Sequence, residues 1–292
     1  MLRLLKIMGG ANREARYGAC EALGWLGPKA DAASGQVRAL LSDKDPWMRE
    51  LAANALARMG DATRKASVPD LLRALLLKDP ADPRCCVQGA LTEALFKPAP
   101  GKREPKSILS DSLEGVDRAL LIAAIRDILK SEDGRIRRGV SDLYGKLTAS
   151  EIAVLLPDIV AAIQKPAPSG EMFAYDIRYA GLDLLARLRI REGMLMCVDI
   201  MDEFRWGRKL NRCVEPLSRY GGAAREIVPR LRMTRQMLVA KNKNWEKNED
   251  QRKDIYSIDK LIAQVEADKN PPQLQGMADF IKRPAIPAAG KK

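Results

Sequence analysis

The 292-residue sequence is 46% apolar but only 5% aromatic, which is enough material for a large core, with no compositional sign of disorder over most of its length. It contains no histidine, which excludes Ser/His/Asp and Cys/His catalysis and every histidine-containing metal site within this chain. Fifty Lys and Arg against 38 Asp and Glu leave a formal charge of +12, a balance that favours anionic partners.

The opening "MLRLLKIMGG" lacks the extended apolar segment and cleavage site of an export signal. It reads as the second helix of a repeat unit whose first helix is absent, as if the chain were cut from a longer protein or docked at this end. Next come two copies of one pattern. "ANREARYGACEALGWLGPKA" and "DPWMRELAANALARMGDA" superimpose at a shift of 33 residues, placing Arg49 over Arg16, Ala52 over Ala19, Leu56 over Leu23 and Gly60 over Gly27. The apolar and small residues fall on one helical face and the glycine ends the helix. Arg84, Arg137 and Arg178 lead weaker copies ("CCVQGALTEALF", "RGVSDLYGKL", "YAGLDLLARL"), and "RCVEPLSRYGG" from Arg212 is a degraded sixth.

Between these helices lies a second element, "VPDLLRALL", "LPDIVAAI" and "VPRLRMTRQML", carrying Pro69, Pro157 and Pro229. Each proline is expected near the start of its helix, where the missing N–H has no intrahelical partner to lose. The third unit lacks the proline, its second helix being "VDRALLIAAIRDILK", and "KPAPGKREPKS" within residues 97–112 reads as an inserted exposed loop. The five cysteines, Cys20, Cys85, Cys86, Cys197 and Cys213, lack C-x-x-C spacing and sit in apolar helical contexts. They are expected to be reduced core residues.

No glycine motif for a phosphate is present, and the longest apolar run, Ala119 to Ile125, is far too short to span a bilayer. One candidate binding surface stands out on the last second helix, where Arg225, Arg232, Gln236 and Lys243 share a face, with Arg235, Arg230, Lys241 and Lys247 close by. Such a stripe suits phosphates or an acidic protein, although charge runs are commonly only solvated. Trp206 and Trp245 stand nearby without the aromatic and basic alternation that base stacking uses. Asp199, Asp202 and Glu203 share another helical face, a weak pattern for a hard cation, so no catalytic, cofactor or metal residue is assigned.

Residues 241–270 are expected to form a capping helix with Ile255, Ile258, Leu261, Ile262 and Val265 inward, and residues 271–292 an extended or disordered basic tail anchored only by "MADFI".

The pattern of Asp45, Arg49, Ala52, Ala53, Leu56 and Gly60 followed by Val68, Pro69, Leu71, Leu72 and Leu75 resembles the HEAT-repeat family, particularly its bacterial version. The resemblance is strong in the first two units and loose after Arg84. It implies an all-α fold, a right-handed α-solenoid of about six HEAT-like helix pairs over residues 1–240 with the capping helix and tail behind it. It also implies that the recurring arginines pair with acids between neighbouring units, and that the second helices line a concave face. The function expected is a non-enzymatic scaffold binding a protein or extended acidic ligand there, without a membrane. The alternative is a nucleic-acid-binding module similar to the HEAT-like DNA glycosylases, whose site residues have no recognisable cluster here. A ligand-binding module resembling the phycobilin lyases is a third reading, carried by the repeat match alone.

Overall fold

The computed structural model describes residues 1–77, 86–96, 109, 112–165, 171–203, 210–241 and 244–286. Among these the regular structure is helical, and the chain forms two compact units, residues 1–146 with 167–174 and residues 147–166 with 175–292. The fold is an all-α solenoid built from helix pairs.

The first unit opens with α1 (Leu2–Met8) and α2 (Arg13–Leu26), followed by a 3-10 segment and α3 (Ser34–Ala39). Then come α4 (Pro46–Arg58), α5 (Asp61–Leu75), α6 (Cys86–Phe96), α7 (Arg118–Leu129) and the short α8 (Gly134–Arg138). The first helices α2, α4 and α6 lie side by side, and the core runs between them and the second helices through Leu23, Leu56, Leu71 and Leu72, all fully buried. Contact is close because α2 carries Gly24, where a Cβ would stand 3.1 Å from the Cα of Ala55.

The 33-residue shift repeats local solutions as well as apolar positions. Asn12 caps α2 by accepting from the Ala15 N–H at 2.8 Å, and Asp45 caps α4 by accepting from that of Trp47 at 3.1 Å. Arg13 and Tyr17 on α2 also donate to the Asp45 carboxylate, tying one repeat to the next; the Arg13 guanidinium holds that carboxyl down at about 2. Arg16 reaches back to the carbonyl of Met8 at 3.0 Å and forward to Asp43, and Arg49 donates to the carbonyl of Asp43. In the second unit Arg178, 3% exposed, does the same to the carbonyl of Ile163 at 2.7 Å. The recurring arginine thus satisfies the carbonyl end of the preceding helical segment, where a cation also complements the helix dipole.

The two aligned glycines serve different ends. Gly27 has φ 58, a left-handed conformation that a side chain strains. Gly60 is extended; its N–H donates to Asp31 Oδ1 at 2.8 Å, and a Cβ there would collide with that carboxylate.

The second unit contains α9 (Ala149–Gln164), most of α10 (Glu171–Arg187), α11 (Arg191–Glu203), α12 (Leu210–Ser218), α13 (Val228–Lys241), α14 (Glu249–Ala267) and α15 (Met277–Lys282). Ile255, Ile258, Leu261, Ile262 and Val265 on α14 are buried. The chain then returns along the α10–α11 turn. Gln275 donates its N–H to the Arg189 carbonyl and accepts from the Arg191 N–H, both at 3.0 Å, and Glu192 accepts the Met277 N–H at 3.0 Å. Phe280 on α15, fully buried, anchors this strap, and α15 packs on α9.

Three expectations are corrected. Pro69 and Pro157 lie inside α5 and α9; only Pro229 stands near a helix start. Residues ahead of the first two form further helical turns whose apolar sides are buried, Val68 on α5 and Ile152 and Leu156 on α9, and this outweighs one lost backbone bond. Arg38 donates to the Ala66 carbonyl at 3.3 Å beside the break at Pro69. The fourth first helix stops at Arg138 and continues as a 3-10 segment, because Gly139 permits a close approach to α6: a Cβ there would lie 2.5 Å from Thr92 Cγ2. Among the cysteines, Cys20, Cys197 and Cys213 are buried as expected, but Cys86 is exposed at the start of α6. Burial pushes the Cys20 thiol up to about 12 and also raises the Cys197 thiol well above its ordinary value, which keeps both unreactive. Arg84, Cys85, Trp206 and, apart from Leu109 and Ser112, residues 97–112 lie outside the described residues, as does the end of the chain from residue 287.

Candidate interaction face

Successive second helices are laced by ion pairs. In the first unit Arg38 on α3 reaches Asp70 on α5 at 3.5 Å. In the second unit the lacing is denser and falls on the basic stripe. Arg230 on α13 donates to Asp199 Oδ1 at 2.9 Å and to Asp202 Oδ2 at 2.5 Å, both on α11, and Thr234 donates to the other oxygen of Asp202 at 2.8 Å. On its other side, α13 faces α14: Arg232 pairs with Glu266 at 2.8 Å, and Arg235 grips Asp259 through two bonds of 2.5 and 2.9 Å. These partners raise the Arg230 and Arg235 guanidinium pKa values, Asp202 contributing most to the first and Asp259 to the second.

Arg225 sits before α13 and donates to the carbonyls of Glu266, at 3.4 Å, and of Asp268. It therefore closes the end of α14, whose following residue Asp268 accepts the N–H of Gly222 at 2.6 Å. Backbone donation from Gly222 and Asn270 holds the Asp268 carboxyl below its ordinary range. Gln236 is exposed, and Lys243 lies outside the described residues. Arg225, Arg232 and Arg235 are accordingly brought together along the α13–α14 seam, each with an intramolecular partner. Singly, such exposed pairs contribute at most about 1 kcal/mol; together they fix how α11, α13 and α14 stack.

Asp199 and Asp202 point their oxygens at Arg230, where a cation would need them. The Glu203 side chain lies outside the described residues. Trp245 is half-buried on a 3-10 turn, not aligned in a stacking row. What the charge pattern hid is apolar. Pro229, Met233, Met237 and Ala240 are exposed at i, i+4, i+8 and i+11 along α13, Met233 by 57% and Met237 by 40%. They were not singled out from the sequence, where the available signal was two methionines one turn apart on that helix.

Asp254, on α14 and 4% exposed, is a buried acid. Burial, aided by the like charge of Asp250, pushes its carboxyl up to about 6. The folded chain therefore holds a proton that the unfolded chain releases, and stability falls as pH rises from about 4 through 6. Asp254→Asn is expected to raise stability by roughly 1 to 2 kcal/mol at pH 7.5 and to leave it unchanged at pH 4 in urea melts. A wild-type chain equally stable at both pH values relative to the variant would contradict this reading.

A family model of HEAT repeats matches residues 1–95. No curated protein matches the chain. Among solved structures, two crystal structures of engineered proteins from the Northeast Structural Genomics Consortium are similar. One is 16% identical, with 90% of this chain and 96% of that one covered at a TM-score of 0.38. The other is 14% identical, covering 89% and 97% at 0.35. Residues 1–95 thus match the HEAT-repeat family, and the chain as a whole has an all-α helical-repeat fold.

Proposed function

We propose that the chain is a non-enzymatic scaffold that binds a protein partner, an acidic and extended or amphipathic segment, on the exposed face of its sixth second helix, α13. HEAT repeats are generally protein-interaction scaffolds. The observation that carries the reading is the contrast along α13: the stripe arginines already hold carboxylates or carbonyls, while Met233 and Met237 remain exposed. A phosphate backbone would have to displace Asp199, Asp202, Glu266 and Asp259 to gain those guanidiniums. An acidic amphipathic segment needs no such exchange; its apolar side covers the thioethers, which adapt to varied shapes, and its acids meet the outer edges of Arg232 and Gln236.

The test titrates a fluorescent acidic amphipathic peptide and duplex and single-stranded oligonucleotides over a salt series. Peptide binding is expected to survive about 0.15 M salt and to weaken more than about tenfold in Met233→Asp/Met237→Asp, as loss of a buried apolar centre requires. Oligonucleotide binding with a steep salt slope that collapses in Arg225→Glu/Arg232→Glu/Lys243→Glu would replace this reading by the nucleic-acid one.

A further inference from the structure

The methionines are unequally placed. Met8, Met48, Met59, Met194 and Met201 are 4% exposed or less, whereas Met233 and Met237 on α13 are 57% and 40% exposed. Those two stand one turn apart on the solvent face of the helix, so whatever meets one meets the other. The stacking of α13 does not use them. Its buried residues are Val228, Leu231 and Thr234, and its arginines tie it to neighbours, Arg230 to α11 and Arg232 and Arg235 to α14. A chemical change at the two sulfurs therefore alters the surface of α13 and leaves its packing in place.

Of the exposed ridge residues Pro229, Met233, Met237 and Ala240, only the methionines carry a group that a peroxide oxidises. A sulfur lone pair attacks one oxygen of hydrogen peroxide, and the S–O bond forms as the O–O bond breaks. The displaced hydroxide takes the proton from the sulfur-bound oxygen and leaves as water; the sulfur gives up two electrons and the peroxide is reduced. The sulfoxide is polar where the thioether was apolar, so it no longer suits an apolar contact. Open to solvent, it is equally open to a sulfoxide reductase, which restores the thioether while a thiol pair is oxidised to a disulfide. We propose that Met233 and Met237 are a paired, reversible oxidation site through which a peroxide converts the α13 ridge from an apolar to a polar surface. The consequence for partner binding rests on the α13 reading; the chemistry at the sulfurs does not.

The test treats the full chain with limiting hydrogen peroxide and follows its proteolytic fragments by mass over time. Met233 and Met237 are expected to gain one oxygen each well before Met48, Met59, Met194 and Met201, which should follow only in urea. Far-UV dichroism should stay unchanged while retention on a hydrophobic-interaction column falls. The fluorescent acidic amphipathic peptide should bind about tenfold more weakly. Methionine sulfoxide reductase with dithiothreitol should restore both retention and binding. Met233→Leu/Met237→Leu keeps the exposed Cys86 thiol and Met1, itself 41% exposed. Whatever its own affinity, that variant should lose the peroxide-dependent weakening and most of the retention shift; if both persist, the effect lies elsewhere and the proposal is overturned. Met233 and Met237 reacting no faster than the buried methionines would also overturn it, as would their oxidation with retention unchanged. An untreated chain that ignores the peptide, yet shifts on the column once oxidised, would overturn the α13 reading and support the oxidation site.

Discussion

Leu56→Asp is expected to abolish cooperative unfolding of the first unit, with a loss of at least about 4 kcal/mol. Leu56 is fully buried on α4, between the row of first helices and the second helices, and its counterpart Leu23 occupies the same place one repeat earlier. The substitution keeps a side chain of similar size but replaces its two methyl groups by a carboxylate, placing a charge in the apolar core. Because stacked repeats share their interfaces, the damage should spread to α2 and α6 as well as α4. Urea melts followed by far-UV dichroism measure it; a variant with full helical signal and an unchanged midpoint would sink the proposed register of the repeats. Leu72→Asp, also fully buried, should behave alike.

In the second unit the largest effect is expected at Phe280. Phe280→Ala should cost roughly 3 to 5 kcal/mol, because the ring is fully buried and the short α15 has little else to hold it. A six-residue helix is not stable by itself, so its docking depends on this side chain and on the Glu192 carboxylate that accepts the Met277 N–H. With the ring gone, the bonds of Gln275 to the Arg189 and Arg191 backbone should open together. Hydrogen exchange at the Gln275, Met277 and Arg191 amides would report that opening, and protection unchanged from the wild type would show that the strap is held by something else. Glu192→Gln, which keeps an acceptor, should lose far less.

The repeats were legible wherever a pattern recurs at a fixed spacing. The register of the first helices followed from Leu23 and Leu56 and from Arg16 and Arg49, because each repeat solves the same local problem with the same residue types; that Asn12 and Asp45 cap these helices came from the structure. The α14 core residues were readable for the same reason, through helical periodicity. The proline rule failed at Pro69 and Pro157, since the local preference for a helix start was overridden by burial of the preceding turns. The fourth helix was misread because Gly139 is set by its contact with Thr92, a residue 47 positions earlier.

The candidate face shows the same division. Sequence placed Arg225, Arg232, Arg235 and Gln236 on one helical stretch, but a helical wheel shows only which side a charge takes, not what stands opposite. Asp259 and Glu266 are 24 and 34 residues away from Arg235 and Arg232, and Asp199 and Asp202 are 31 and 28 away from Arg230. Packing of α11, α13 and α14 decided that the stripe is an ion-pair seam and that its exposed ridge is Met233 and Met237. The sequence by itself determined the helical repeat, its period, its buried faces and the absence of histidine chemistry, because these depend on residue type and near-neighbour spacing. Only the tertiary structure decided which arginines are engaged, how the C-terminal strap clips the α10–α11 turn, and which apolar residues stay exposed, because each of these depends on side chains that meet across long separations in the chain.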